Sequence, residues 1–218
     1  GLGDVYKRQI LGEARFYGMD LQVSPAVLIP RPETAELVDQ IVDRYGQTRD
    51  LRVLDVGTGS GAIAIALSRN LPYSKVSAMD VSDAALDVAK ENARQLGAKI
   101  DFIHADIFDW KPMSDSFDII VSNPPYIPDE EKDDMEDNVL KYEPEQALFV
   151  PDDDPLRYYR RITEVAAVAL VPGGHLYFEI NPRFADQTAK LMEGNGFHDV
   201  TITRDSQNRR RFADGTKG

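Results

Sequence analysis

Val53-Leu54-Asp55-Val56-Gly57-Thr58-Gly59-Ser60-Gly61-Ala62 is the stretch from which the fold can be read. A short, largely apolar run enters a loop with glycine at every second position, and Ala62 then opens an amphipathic run to Asn70. An apolar run that short, closed by glycines, fits a strand covered on both faces. Glycine tolerates positive φ and lets a ligand come close to the backbone. A loop leaving a strand for a helix also lies at the carboxyl end of the strands, where open α/β sheets bind ligands. By itself, Gly57-x-Gly59-x-x-Ala62 would serve a nicotinamide dinucleotide equally well.

The chain repeats this alternation downstream. Strands are expected at 76–80, 100–104 and 117–121, with helices over 62–70 and 83–96. Strands and helices alternating at that spacing give a parallel sheet with helices on both faces. A helix over 155–170 is expected to end at Gly173-Gly174 and lead into a strand over 175–180, followed by a helix over 185–195 closing at Gly196. Strands near 200–203 and 210–213, joined by Ser206-Gln207-Asn208, suit an antiparallel pair at the sheet edge. Upstream, 14–23 reads as a hairpin turning at Gly18. Pro32 and Glu33 open a helix over 34–44 whose Ala35, Val38, Ile41 and Val42 share a face.

The strand ends carry the polar chemistry. Asp80 closes the second strand of the alternation, where a carboxylate accepts hydrogen bonds from both hydroxyls of an adenosine ribose. Asp106, just past the third, is placed to accept from an adenine amine, with Ile107 able to cover the ring. After the fourth strand comes Ser122-Asn123-Pro124-Pro125-Tyr126. The prolines have no N–H to give a ladder, so the strand must stop, and Asn123, preceding a proline, is held extended. Its side-chain oxygen and the proline carbonyls become acceptors that no strand uses, and Tyr126 adds a flat face. Such a clamp suits a planar group bearing an NH2, a carboxamide or an exocyclic base amine. A Pro-Pro turn that merely ends a strand explains these residues as well when they are taken alone. The order of glycine loop, acid, acid and Asn-Pro-Pro-Tyr is what favours the clamp.

Composition sets limits on partners. At 218 residues the chain suits one main domain that buries roughly 70% of its unfolded surface. No apolar run approaches the ~20 residues of a membrane span and no secretory pattern is present, so a cytoplasmic protein without membrane contact is expected. The absence of cysteine excludes disulfides, thiolate catalysis and cysteine metal sites. His104, His175 and His198 lie in or beside strands and form neither a zinc-ligand spacing nor a Ser-His-Asp set, so no metal is expected. With 25 Lys+Arg against 37 Asp+Glu, the net charge of -12 disfavours a large nucleic-acid footprint and is easier to reconcile with a protein partner. Residues 1–9 show no period and read as a remnant foreign to the fold. The acidic stretch 128–154 reads as a lid or surface excursion beside Asn123, its charges a solvated face.

With those residues in place, the chain resembles the class I S-adenosylmethionine-dependent methyltransferases, and among them the release factor glutamine N5-methyltransferases, over 10–215. The resemblance is carried by Ile10-Leu11-Gly12-Glu13, Leu28-Ile29-Pro30-Arg31-Pro32-Glu33-Thr34, the 55–61 loop, Asn123-Pro124-Pro125-Tyr126-Ile127 and Tyr142-Glu143-Pro144. It implies an α/β, Rossmann-like domain with a seven-stranded, mostly parallel sheet whose last strand is antiparallel. It implies S-adenosylmethionine on Gly57, Thr58, Gly59, Ser60, Gly61 and Asp80, with Asp106, Ile107 and Asn123 as further cofactor contacts. The acceptor would be the glutamine of a Gly-Gly-Gln tripeptide in peptide-chain release factors, bound by a monomeric enzyme. Asn123, Pro124 and Tyr126 would be catalytic and, with Pro125, substrate-binding. The Asn123 side-chain oxygen and the Pro124 carbonyl would each accept one N–H of the glutamine amide while Tyr126 packs on its plane. Arg31, Glu33 and Thr34 are adjacent candidates that a helix start explains equally well.

Family members normally carry a helical domain before the Ile-Leu-Gly-Glu segment. On that basis 10–30 is expected to be a hairpin linker at the junction and 31–218 the methyltransferase domain, with cofactor binding intact and partner binding weakened. Three other readings share parts of the pattern. Ribosomal-protein glutamine methyltransferases usually carry Pro-Arg-Ser-Pro where this chain has Pro30-Arg31-Pro32-Glu33-Thr34. Adenine-N6 DNA methyltransferases share Asn-Pro-Pro-Tyr but need a basic face. A non-enzymatic S-adenosylmethionine sensor would keep the loop and show no turnover.

Overall fold

The computed structural model describes residues 12–134 and 143–218. The expected remnant at 1–9, Ile10-Leu11 and Tyr142 lie outside the described residues. The chain opens with the hairpin β1 (Glu13–Phe16) and β2 (Met19–Gln22), turning at Tyr17-Gly18 as the sequence suggests, and then forms α1 (Pro32–Tyr45). The alternating unit follows as β3 (Arg52–Val56), α2 (Ala62–Asn70), β4 (Lys75–Asp80), α3 (Asp83–Leu96), β5 (Ile100–His104) and β6 (Phe117–Ser122). Beyond it lie two short paired strands, β7 (Ile127–Pro128) and β8 (Phe149–Val150). The chain ends with α4 (Arg157–Ala169), β9 (Leu170–Glu179), α5 (Ala185–Gly194), β10 (Phe197–Arg204) and β11 (Arg210–Lys217).

Seven strands form one sheet in the order β10-β11-β9-β6-β3-β4-β5. All neighbours from β9 to β5 are parallel, and β11 runs antiparallel to both β9 and β10. The order reverses direction between β3 and β6. Such a switch point opens a crevice at the carboxyl ends of the two strands, and it brings together the loops that follow them: the glycine loop and Asn123-Pro124-Pro125.

Side chains alternate between two cores because successive strand residues point to opposite faces. Val53, Ile119, Val121 and Phe212 join Leu37, Val38, Ile41 and the apolar side of α2 on one face. Leu54, Ile120, Leu176 and Phe178 join Tyr159, Ile162 and Met192 on the other. Each such fully buried aliphatic contributes about 1.5–3 kcal/mol relative to an exposed one. The hairpin belongs to the first core, with Phe16, Met19 and Leu21 buried in it. Asn92 of α3 pins it there: its Oδ1 accepts from Gln22 N–H at 2.7 Å, and its Nδ2 donates to the carbonyls of Gln22 (3.0 Å) and Ser60 (2.9 Å).

Three expectations need correction. Gly173-Gly174 do not end α4; the helix passes through an extended Leu170 directly into β9, and both glycines lie inside that strand. They accommodate a bulge, since the β6 partners step from Phe117↔Leu170 to Ile119↔His175. Gly173 has φ +80, and a Cβ on Gly174 would meet the Val171 carbonyl at 2.9 Å. Second, the terminal pair is antiparallel and at the sheet edge as expected but longer, Phe197–Arg204 and Arg210–Lys217, with β11 lying between β10 and β9. Third, the acidic stretch is not wholly a solvated face, as Glu143 is buried.

Candidate active site

The glycine loop is shaped from within. Gly57 and Thr58 both donate backbone N–H bonds to the Met79 carbonyl at 2.9 Å, folding the loop against the end of β4. Asp55 lies beneath it at 0% exposure, accepting from the Thr58 hydroxyl at 2.7 Å and the Ala64 N–H at 3.2 Å. Its other oxygen, Oδ1, has no partner. Burial pushes the Asp55 carboxyl up to about 7, against the pull of those two bonds. Gly57 and Gly59 have φ of +72 and +54, and a Cβ on either would meet nothing within 4 Å. Their bare backbone therefore faces open space rather than neighbouring protein.

That space is a cavity of ≈ 290 Å³ at the switch point. It is lined by Gly57, Thr58, Gly59 and Ser60 from the loop, by Asp80, Asp106 and Ile107 from the next two strand ends, and by Asn123, Pro124 and Pro125. Asp80 is held by two backbone N–H groups, Gly59 on Oδ2 at 2.9 Å and Ser82 on Oδ1 at 3.0 Å. A carboxylate has about four acceptor sites, so each oxygen keeps capacity for a hydroxyl. Asp106 accepts from Phe108 N–H through Oδ1 at 2.9 Å, which leaves Oδ2 for an outside donor. Ser82 is also the N-cap of α3, its hydroxyl accepting from Ala85 N–H, so the helix start that follows is satisfied locally.

Two expected residues stand off the cavity wall. Gly61 is the N-cap of α2 at φ 82, and a Cβ there would meet Ala89 Cβ at 3.1 Å and Ile65 Cδ1 at 3.2 Å. It permits close packing of α2 on α3. Tyr126 is turned away: its hydroxyl donates to Glu179 Oε1 at 3.1 Å, and its carbonyl accepts from Asn181 Nδ2 at 3.2 Å. Burial and the neighbouring Glu179 carboxylate raise the Tyr126 phenol far above its ordinary value.

Beside Asn123, Thr34 of α1 lies at 4% exposure and Glu179 at the end of β9 at 2%. The Thr34 hydroxyl donates to Glu179 Oε2 at 2.7 Å and accepts from Asn123 Nδ2 at 3.3 Å. Burial raises the Glu179 carboxyl, while Thr34, Arg211 and Tyr126 draw it back. Arg31 and Glu143 close the neighbouring wall. The Glu143 carboxylate accepts from Arg31 at 2.5 Å and from Ile29 N–H at 3.2 Å, fixing the segment from which Pro144, Gln146 and Ala147 line the cavity. Glu33 instead pairs with Arg209 at 2.7 Å, away from the cavity lining.

A family model described as methyltransferase small domain matches residues 34–146. A release factor glutamine methyltransferase from Bacteroides thetaiotaomicron is 52% identical over 197 residues, which span 90% of this chain and 70% of that protein. The chain belongs to the release factor glutamine methyltransferase family. A methyltransferase from Pyrococcus furiosus has the same fold, with a TM-score of 0.68 at 18% identity, covering 99% of this chain and 96% of its own. So does a 16S rRNA methyltransferase from T. thermophilus in complex with AdoMet and guanosine, with a TM-score of 0.66 at 20% identity, covering 94% of this chain and 50% of its own. Three buried acids to which the sequence alone assigns no role are Asp55, Glu143 and Glu179. The first two stand inside quoted motifs, and their burial was the missing information. Glu179 ends a strand as Asp80 does, which was the one available signal.

Proposed function

We propose that the chain transfers a methyl group from S-adenosylmethionine to the side-chain amide nitrogen of the glutamine in the Gly-Gly-Gln segment of peptide-chain release factors. The observation that carries this reading is the meeting of a cavity-facing glycine loop with Asn123-Pro124 at the switch point, in a chain 52% identical to a protein of that name. The donor set fits the cofactor. Gly57 and Gly59 offer bare backbone, the Asp80 carboxylate suits the ribose hydroxyls, and Asp106 with Ile107 suits the adenine. Bound S-adenosylmethionine supplies a methyl group already activated on a sulfonium.

The chain's own residues then have to prepare a poor nucleophile, since an amide nitrogen delocalises its lone pair into its carbonyl. Asn123 Oδ1 and the Pro124 carbonyl each accept one N–H of the glutamine amide. Both acceptors gain strength as the nitrogen becomes positive, so they favour the transition state over the ground state. Holding the nitrogen in line can supply roughly 7–11 kcal/mol where alignment is good. The alkylated nitrogen is strongly acidic and releases its proton without a dedicated base. We place 31–218 as the catalytic domain and 10–30 as the linker before it, whose hairpin β1–β2 docks on the domain through Asn92. The reading is of a monomeric cytoplasmic enzyme that meets protein rather than nucleic acid. The net charge of -12 supports it, and among the described residues no helix is long and apolar enough to cross a membrane.

The test is transfer of labelled methyl to a purified release factor, with a Gln→Ala change in its Gly-Gly-Gln as control. Label that vanishes in the control establishes reaction and acceptor together. Undiminished label in the control removes glutamine as the acceptor.

A further inference from the structure

We propose that Thr34 and Glu179 are positioning residues that decide which way round the Asn123 side-chain amide sits, and so make the clamp an acceptor of N–H groups. The inference rests on the functional reading above. The oxygen and nitrogen of an asparagine amide have nearly the same shape, so only hydrogen-bond partners distinguish its two orientations. For Asn123 that matters chemically. With Oδ1 toward the cavity it accepts from a carboxamide NH2; with Nδ2 there, donor would face donor.

The orientation follows from a directed chain of bonds. Glu179, as a carboxylate, can only accept, and it takes the Tyr126 hydroxyl on Oε1 at 3.1 Å and the Thr34 hydroxyl on Oε2 at 2.7 Å. A threonine hydroxyl has one hydrogen. Because the Thr34 hydrogen is committed to the carboxylate in a charge-assisted bond, its oxygen can only accept from its other neighbour. That neighbour, 3.3 Å away, is the Asn123 amide, which must therefore present Nδ2 to Thr34 and leave Oδ1 for the cavity. The opposite orientation would set Oδ1 against the lone pairs of the Thr34 oxygen and lose the bond. The same carboxylate fixes the Tyr126 phenol, so one buried acid holds both ends of Asn123-Pro124-Pro125-Tyr126. Thr34 lies within the first turn of α1 and Glu179 at the end of β9, so the acceptor strand of the clamp is aligned by two elements remote in sequence.

The experiment compares Thr34→Val, Thr34→Ala and Thr34→Ser. Valine keeps the shape of threonine without the hydroxyl, alanine removes both hydroxyl and methyl, and serine keeps the hydroxyl. Two quantities are read: steady-state kcat and KM with cofactor affinity, and the exchange rate of the Asn123 side-chain NH2 by 15N NMR. The expected result is a kcat about 100-fold lower in the valine and alanine variants, with cofactor affinity little changed and most of the rate recovered in serine. The Asn123 NH2 should exchange faster in valine and alanine but not in serine. A folded valine or alanine variant with wild-type kcat and wild-type exchange overturns the inference. Equal loss in all three variants also overturns it, since the hydroxyl would then not be the cause. If the wild-type protein transfers no methyl to glutamine, the functional reading falls, and the exchange comparison alone decides whether Thr34 orients Asn123.

Discussion

At Asn123 the proposed reaction makes a demand that can be separated from cofactor binding. One Nδ2–H is engaged by Thr34, and the proposed clamp meets the substrate amide through Oδ1. Asn123→Ala should then lower kcat by about 100- to 1000-fold, the loss usual for one preorganised charge-stabilising group, and leave cofactor affinity nearly intact. Calorimetry with S-adenosylhomocysteine beside steady-state rates would check this, and parallel losses in both would move Asn123 to the cofactor. The reverse holds at Asp80. Asp80→Ala removes a carboxylate that Gly59 and Ser82 hold ready, and cofactor affinity should fall by about 10- to 100-fold, since hydrogen bonds to charged groups contribute about 1.5–3 kcal/mol. An unchanged dissociation constant would take the ribose away from this residue. That Asp80, Asp106 and Asn123 line one cavity was legible in the sequence, because all three stand at or just past strand ends. Glu179 was not, and Thr34 stood only as a candidate beside a helix start, because the two meet across 145 positions and no local pattern encodes that contact.

The elements divide in the same way. The α3 helix was readable to its terminal residues because its ends carry local signals: the Ser82 side-chain cap at the start, and Gly97 in the left-handed region at φ 65 to stop it. The Gly173-Gly174 pair misled, since the same residues that end a helix also serve a bulge, and only the register with β6 tells them apart. Leu37 of α1, fully buried, was missed from the expected face, because the face is set by how the helix lies against β9 and α2 rather than by its own period. Gly61 offers a test at this scale. Alanine there would meet a positive φ that costs about 1–2 kcal/mol and a Cβ contact at 3.1 Å whose overpacking costs about 1–3 kcal/mol. Gly61→Ala should therefore lower stability in urea denaturation by roughly 2–5 kcal/mol. Adding Ala89→Gly should recover the packing part and not the backbone part. Full recovery in the double variant would show that backbone strain contributes nothing at Gly61.

For the molecule as a whole, the parallel sheet was readable because strands and helices alternate along the chain, whereas the antiparallel last strand of seven came from the family resemblance. The insertion of β11 between β9 and β10 was not readable, since two antiparallel strands close in sequence pair equally well on either side. What no sequence pattern showed is how many titrating groups the two cores hold, and these set the pH dependence of stability. Asp55 titrates near 7 when folded and near 3.8 when not, so between those values the folded state keeps a proton that the unfolded chain has released. Its contribution therefore falls as pH rises through that window, and the full penalty, on the order of a few kcal/mol, is present above it. Glu179, also raised by burial, acts with the same sign. His175 acts oppositely. Burial lowers it below 6.5, and its ring nitrogens are engaged by Tyr45 and Thr216, so stability is lost as pH falls beneath 6.5 and the unfolded chain takes up the proton first. The carboxylates held low by arginines, Asp118 by Arg52 and Asp154 by Arg160, add to the acid limb. Self-repulsion at a net charge of -12 adds to the alkaline one. The cofactor-free protein should thus be most stable on the acid side of neutrality, with a melting temperature that declines from about pH 6 to about pH 8. Asp55→Asn cannot ionise yet keeps an oxygen for Thr58 and Ala64, so it should flatten that decline while leaving the acid limb set by His175 unchanged. Melting curves for both proteins across this range decide the matter. An Asn variant with the wild-type slope would mean that Asp55 is already charged at about pH 6, and the alkaline decline would then belong to the surface charge.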